Sequence, residues 1–342
     1  MYAWPGGILV DRLGHRRALS AFNLISIAGY LIVLTIPHWA AVLGGAFLFL
    51  AWTTLSLPAT FTLIASSLPA DKHAMGIGVQ SLVRRLPVIV GPIAGGILID
   101  RFGIETGVRY GLLASILLGG VALWLNQRIT IARPTVLAPA TGFREALRKS
   151  DPRLFRLLWS DILIRFCERI PFAWVVIYAM DDLGVSASAV GILIAVETIA
   201  AITCYLPAAW LADRYGKEPF VVATFIIFTA FPIALSVSTG FASLIIAFAV
   251  RGLKEFGEPA RKALILSYAA PDAKGQAVGA YYLIRDGIVS LAAILGAYLW
   301  QINPQVNFWG AASLGAAGTV LYITTTQTLW SRLTLTTTRT GI

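Results

Sequence analysis

Charge is what this sequence has least of. Asp, Glu, Lys and Arg make up only 13% of its 342 residues, while 57% are hydrophobic and the mean hydropathy is +0.76. A soluble domain carries about 25% charged residues, so a chain dissolved in water is excluded. Cysteine is nearly absent too: Cys167 and Cys204 both lie inside apolar runs, which leaves no disulfide framework and marks each as a small buried hydrophobe. The three histidines, His15, His38 and His73, sit in or beside loops and lack the Cys/His spacing of a metal site, so no metal is expected. No glycine loop ends in Lys-Ser or Lys-Thr, which argues against nucleotide hydrolysis as an energy source. Nucleophile–base constellations and cofactor motifs are missing as well, so the reading is not an enzyme and includes no cofactor. Finally, no basic leader precedes the first apolar stretch, as a cleavable signal peptide would require.

What fills the sequence instead is long apolar runs, and about 20 such residues cross a bilayer as a helix. Runs of that length occur at roughly 18–37, 39–68, 76–99, 107–126, 154–180, 187–212, 219–238, 241–267, 276–302 and 307–330. They predict an all-α polytopic protein with the lipid bilayer as its first partner. The net charge of +10 forms no basic stripe interleaved with aromatics, so nucleic acid is not expected. The basic residues fall in the short gaps between runs. With the loop Asp11–Arg17 placed in the cytoplasm, that side gathers Arg12, Arg16, Arg17, Lys72, the cluster from Arg128 to Arg156, Arg214, Lys217, Lys274, Arg332 and Arg339. The opposite side holds Arg101, Arg109 and the acidic pair Asp181–Asp182, and this bias sets the orientation.

The sequence also repeats itself. "WPGGILVDRLGHRR" (Trp4 to Arg17) returns as "LPAAWLADRYGKEP" (Leu206 to Pro219), pairing Pro5 with Pro207, Leu9 with Leu211, Asp11 with Asp213, Arg12 with Arg214 and Gly14 with Gly216, each 202 positions apart. A third echo, "GGILIDRFG" (Gly95 to Gly103), lies between them. Two halves follow, 1–126 and 154–342, joined by a basic connector at 127–153. Secondary transporters are commonly built from such repeats, with the substrate site at the repeat interface.

On these residues the chain resembles the major facilitator superfamily. The family's signature loop, G-x-L-x-D-R-x-G-(R/K)-(R/K), is matched by Gly7, Leu9, Asp11, Arg12, Gly14, Arg16 and Arg17, with His15 as a departure. The second copy keeps Asp213, Arg214, Gly216 and Lys217 but has Ala209 in place of the first glycine. The resemblance implies two six-helix halves and a cytoplasmic latch formed by these loops. Physically, Asp11 ends a helix where it can meet a positive helix terminus or an arginine. Gly7 permits close approach, and Gly14 permits a turn with positive φ. The offset places the counterpart of the helix at 154–180 before Met1, so the first helix and most of the second are expected to be missing. "GIGVQSLVRRLPVIVGPIAGG", with Gly78, Gly91, Pro92, Gly95 and Gly96, resembles the fifth-helix motif of the family's antiporters and exporters, with Pro87 where glycine is usual. The glycines would admit a close partner helix and Pro92 would bend the span. The connector segment "TGFREALRKSDPRLFRLL" reads as an amphipathic helix on the cytoplasmic surface.

Charges inside spans are costly unless paired or wetted, so they mark function. The first half has Arg84 and Arg85. In the second, Asp161, Arg165 and Glu168 share one helical face with Arg169 beside them, and Glu197 stands alone in the next span. "RGLKEFGEPARK" predicts a stripe of Arg251, Glu255, Glu258 and Lys262 flanked by Lys254 and Arg261, and "YYLIRDG" adds Tyr281, Tyr282, Arg285 and Asp286. Structural ion pairing accounts for many of them. Glu197, without a cation near it in sequence, is the first candidate to carry a proton. Arg165 or Arg251 is the candidate for a substrate carboxylate or phosphate. Tyr281, Tyr282, Trp159, Trp174 and Phe172 are candidates to line the apolar part of a cavity. The function expected is secondary active transport of a small organic solute by alternating access, proton-coupled, with export by antiport favoured. The protein is expected to act as a monomer in a bacterial inner membrane. The rivals are a proton-linked importer of an organic anion and, in another class, a non-transporting scaffold or decayed fragment.

Overall fold

The computed structural model describes residues 15–50, 73–128, 148–270 and 274–337. Among these residues every regular element is a helix. They fall into two compact units that meet in sequence between Ala138 and Pro139, inside the basic connector.

The first unit contains α1 (His15–Thr35), α2 (Trp39–Leu50), α3 (His73–Phe102) and α4 (Ile104–Asn126). Asn23 of α1 donates to the Gly119 carbonyl of α4 at 2.8 Å, and Arg16 donates twice to Gln127 Oε1, at 2.6 and 3.2 Å. Within α3, Pro87 and Pro92 sit inside one continuous helix. Gly96 is buried, but a Cβ built on Gly91 or Gly95 would meet nothing within 4 Å. The close helix contact expected at those two glycines is therefore not made among the described residues. Gly78 lies on α3 as well; Arg84 is exposed there.

The described residues of the second unit make six helical passes. They are α5 (Pro152–Arg169) with α6 (Trp174–Ile177) and a π turn Tyr178–Asp182; α7 (Ala187–Tyr215); α8 (Glu218–Ser236); α9 (Phe241–Leu253) with α10 (Glu258–Tyr268); α11 (Lys274–Val289) with α12 (Ala292–Ile302); and α13 (Pro304–Thr337). Among the described residues of both units, six stretches are long and apolar enough to cross a membrane. The passes at 152–182 and 241–268 are not among them: both are more densely charged than the stretch 277–302, which carries only Arg285 and Asp286. Pro171, which has no N–H to donate, follows the end of α5, and a 3-10 turn at Lys254–Gly257 separates α9 from α10.

Packing follows the helical period. On α5, Leu154, Leu157, Leu158, Ile162 and Ile164 are buried against Phe225 and Phe228 of α8, Leu264 of α10 and Tyr322 of α13. Other large apolar side chains point outward, such as Leu117 at 72%, Trp210 at 61% and Ile294 at 70% exposure. Such a surface suits lipid and not water. The segment read as one surface helix across 141–158 is broken before Pro152; residues 129–147 lie outside the described residues. Asp151 caps α5 by accepting from the Arg153 N–H at 2.8 Å, and Leu154 and Leu157 then enter the core, so this part belongs to a membrane pass.

Two of the three signature echoes show the turn their glycines imply. Gly216, after Asp213-Arg214 at the end of α7, has φ +93°, and Gly103, after Asp100-Arg101, has φ +78°. Both lie in the left-handed region that favours glycine. The first copy, with Gly7, Asp11, Arg12 and Gly14, lies outside the described residues.

Candidate functional site

Most charges inside the second unit's passes form one alternating chain of ion pairs. Arg251 Nη1 lies 3.3 Å from Glu197, whose other oxygen is 3.2 Å from Lys254 Nζ; Lys254 also donates to Glu168 at 2.8 Å. Glu168 accepts from Arg165 at 2.8 Å, and Arg165 donates onward to Glu258. Glu258 accepts from Arg261 at 2.7 Å, and Arg261 donates to Asp161 Oδ2 at 2.5 Å. The same oxygen accepts from the Tyr281 hydroxyl at 2.9 Å and from Arg285 at 3.3 Å. Arg285 closes the series on Asp286 at 2.7 Å. Five segments contribute: α5, α7, the end of α9 with its 3-10 turn, α10 and α11.

The chain is tightly buried at its Asp161 end, where Asp161, Arg261 and Tyr281 are almost fully enclosed. Asp161 Oδ1 and the Nε atoms of Arg165, Arg251 and Arg261 nevertheless have no hydrogen-bond partner among the described residues. Arg165 Nε lies 3.6 Å from Asp161 Oδ1, so a small movement would exchange one pairing for another. A network that holds unused donors beside an unused acceptor can rearrange without exposing new charge.

Glu197 is not alone, as its sequence surroundings suggested: α9 and the 3-10 turn supply two cations from more than fifty positions away. The stripe drawn through Arg251, Glu255, Glu258 and Lys262 is also corrected. A 3-10 turn advances about 120° per residue against about 100° in an α-helix, so four residues add about 80°. That rotation carries Arg261 inward and leaves Lys262 half exposed, 3.9 Å from Glu258. Lys254 and Arg261, read only as flanking residues, are therefore central members. Their i, i+4, i+7 spacing with Glu258 was the available signal. Glu255 lies on the turn and is partly buried.

A cavity of about 420 Å³ opens beside this chain. Its walls come from two interrupted passes: Arg165, Glu168, Arg169, Phe172 and Trp174 from α5–α6, and Arg285, Asp286 and Ser290 from α11 and the break after it. Non-helical backbone at membrane depth is tolerated where it is packed in protein or lines a cavity. Here the break at Ile170–Ala173 is covered by α12, whose Gly296 would place any Cβ 2.4 Å from the Ile170 carbonyl oxygen.

Not every expected lining residue is there. Trp159 instead borders a separate apolar groove with Ile162, Phe166 and Leu295. Tyr281 is buried and spends its hydroxyl on Asp161, while Tyr282 packs against it and under the Arg285 guanidinium at 4.5 Å. Arg251 is boxed by the rings of Phe172, Phe231 and Phe248 at 5.5, 5.0 and 5.7 Å and does not line the cavity. Arg214, on the second signature loop, is exposed and lies over Trp210 and Tyr215.

The fold has clear relatives among solved structures. A peptide transporter named POT (a glutamate-to-glutamine mutant) superposes with a TM-score of 0.76 at 15% identity, covering 94% of this chain and 81% of its own. A bacterial homologue of the human lysosomal transporter Spinster, inward-facing and unoccupied, gives 0.69 at 15%, covering 94% and 84%. The E. coli fucose:proton symporter gives 0.57 at 14%, covering 94% and 86%. No curated protein matches the sequence. The family model described as Major Facilitator Superfamily matches residues 3–178 and again 157–333, and the chain thus belongs to that superfamily of transporters, as an integral, multi-pass membrane protein.

Proposed function

We propose that this protein is a secondary active transporter that moves a small organic solute by alternating access, coupled to protons, across a bacterial inner membrane. The observation that carries the reading is the position of Glu168. This carboxylate lines the cavity and joins the two ends of the ion-pair chain, bonded to Arg165 on one side and Lys254 on the other. A proton on Glu168 would break the direct link between α5 and the turn after α9, leaving Arg165 on Glu258 and Lys254 on Glu197. Losing it would restore the link. Glu197, by contrast, lies off the cavity between two cations, so it serves the link and is displaced as first candidate. Asp286, exposed on the cavity wall, is the second acid within reach of a solute. Proton coupling in the fucose symporter agrees with this reading, and the fifth-helix motif favours export by exchange.

The test uses proteoliposomes loaded with a pH-sensitive dye and screened with pools of organic solutes. Solute-dependent proton movement is expected in the native protein and should fall at least tenfold in Glu168→Gln, while solute exchange without a gradient persists. Proton movement that survives this substitution would refute the assignment of Glu168. Absence of any solute flux through folded protein would refute the transporter reading and favour the scaffold.

A further inference from the structure

One cation of the cavity stands outside the ion-pair chain. Arg165 and Arg285 are both committed to carboxylates, and the cavity's two acids are likewise occupied, Glu168 by Arg165 and Lys254, Asp286 by Arg285. Arg169, the last residue of α5, has no carboxylate partner among the described residues. Its guanidinium lies over the Phe172 ring at 5.2 Å, and the same ring lies 5.5 Å from Arg251. An arginine within a membrane pass is costly unless it is wetted or paired. Here it borders a cavity large enough for a small organic molecule.

The surroundings narrow the ligand. Arg169 offers a planar fork that fits a carboxylate in two parallel hydrogen bonds. One unmatched cation balances one negative charge, and Glu168 and Asp286 would repel a second, which disfavours a phosphate dianion. Phe172 and Trp174 lie on the apolar side of the cavity, and Trp174 stacks on Trp300 at 5.1 Å and 16°. The rest of the ligand is therefore apolar and flat enough to lie along two rings.

We propose that this cavity binds an organic monocarboxylate, its carboxylate on Arg169 and its ring-bearing or apolar body against Phe172 and Trp174. The proposal rests on the transporter reading and names the substrate class. It is tested on the purified full chain in nanodiscs, by the shift of the thermal unfolding midpoint with ligand concentration. The probes are 3-phenylpropionate and cyclohexanecarboxylate, their amides, 3-phenylpropylamine, phenyl phosphate and acetate. The ring-bearing carboxylates should bind at least tenfold more tightly than their amides, the amine, phenyl phosphate or acetate. Arg169→Gln should weaken carboxylate binding on the order of ten- to a hundredfold, Arg169→Lys should recover part of it, and the unliganded midpoint of both variants should stay near the native one. Trp174→Ala should reduce the preference for a ring over acetate. Equal binding of acids and amides, no binding of either carboxylate at millimolar concentration, or unchanged carboxylate affinity in Arg169→Gln would each overturn the proposal. Proton-linked flux of a neutral or cationic solute in the proteoliposome screen would overturn it too, while leaving the transporter reading intact.

Discussion

At the scale of single residues, the buried charges illustrate how a membrane protein tolerates ions. Removing one member of a buried pair leaves an uncompensated charge and costs about 3–5 kcal/mol, whereas replacing both with apolar groups can be nearly neutral. Asp161→Ala strips Arg261, Tyr281 and Arg285 of a shared acceptor, so a loss of about that size in stability is expected. The double substitution Asp161→Leu with Arg261→Met should regain most of it, because Glu258 keeps Arg165 and Arg285 keeps Asp286. Thermal or denaturant unfolding of the purified variants checks both. A double variant no more stable than Asp161→Ala would mean that the network is more than pairwise.

At the scale of elements, helix ends and interruptions decide where chemistry is possible. The start of α5 is set by Asp151, which caps the Arg153 N–H and also accepts from the Arg153 guanidinium at 2.7 Å. That hydrogen bond, more than any other effect, holds its carboxyl below the usual range. A carboxylate with a lowered folded-state pKa stabilises the fold above its unfolded pKa, and the benefit disappears as pH falls through the folded value. Asp151→Ala should therefore cost about 1 kcal/mol at neutral pH, with the difference from the native protein vanishing in acid. Unfolding midpoints from pH 7 downward measure this. The interruptions at Ile170–Ala173, Lys254–Gly257 and Ser290–Leu291 do the opposite work, opening backbone and turning Arg169, Lys254 and Arg261 to where they are found.

At the scale of the whole molecule, the asymmetry of lysine and arginine predicts an orientation, with the loop after α7 in the cytoplasm. In a cysteine-free background, Lys217→Cys should react with a membrane-impermeant maleimide only from the cytoplasmic side, and Asp182→Cys only from the opposite side. Labelling with the two sides exchanged would invert the proposed topology, and labelling of both from one side would abolish it. The outward Leu117, Trp210 and Ile294 belong to this scale too: such exposed apolar side chains suit lipid and not water.

Composition and run length alone determined an all-helical membrane protein, because only helices and closed barrels satisfy their backbone in lipid, and these runs have a helix's length. The second half's six passes agree with the apolar runs to within a few residues, apart from the longer final helix, since the hydrophobic stretch itself sets each span. The positive-φ glycine of the repeated loop was legible at Gly216 for the same local reason. What the sequence could not decide was which charges meet. Pairing of Glu197 with Arg251 and Lys254, the inward turn of Arg261, the exclusion of Trp159 from the cavity and the isolation of Arg169 all depend on contacts between passes far apart in the chain. A single 3-10 turn was enough to rotate one face by most of a right angle. Spans follow from local hydropathy; the site follows from how broken helices are rotated against one another, which only tertiary packing fixes.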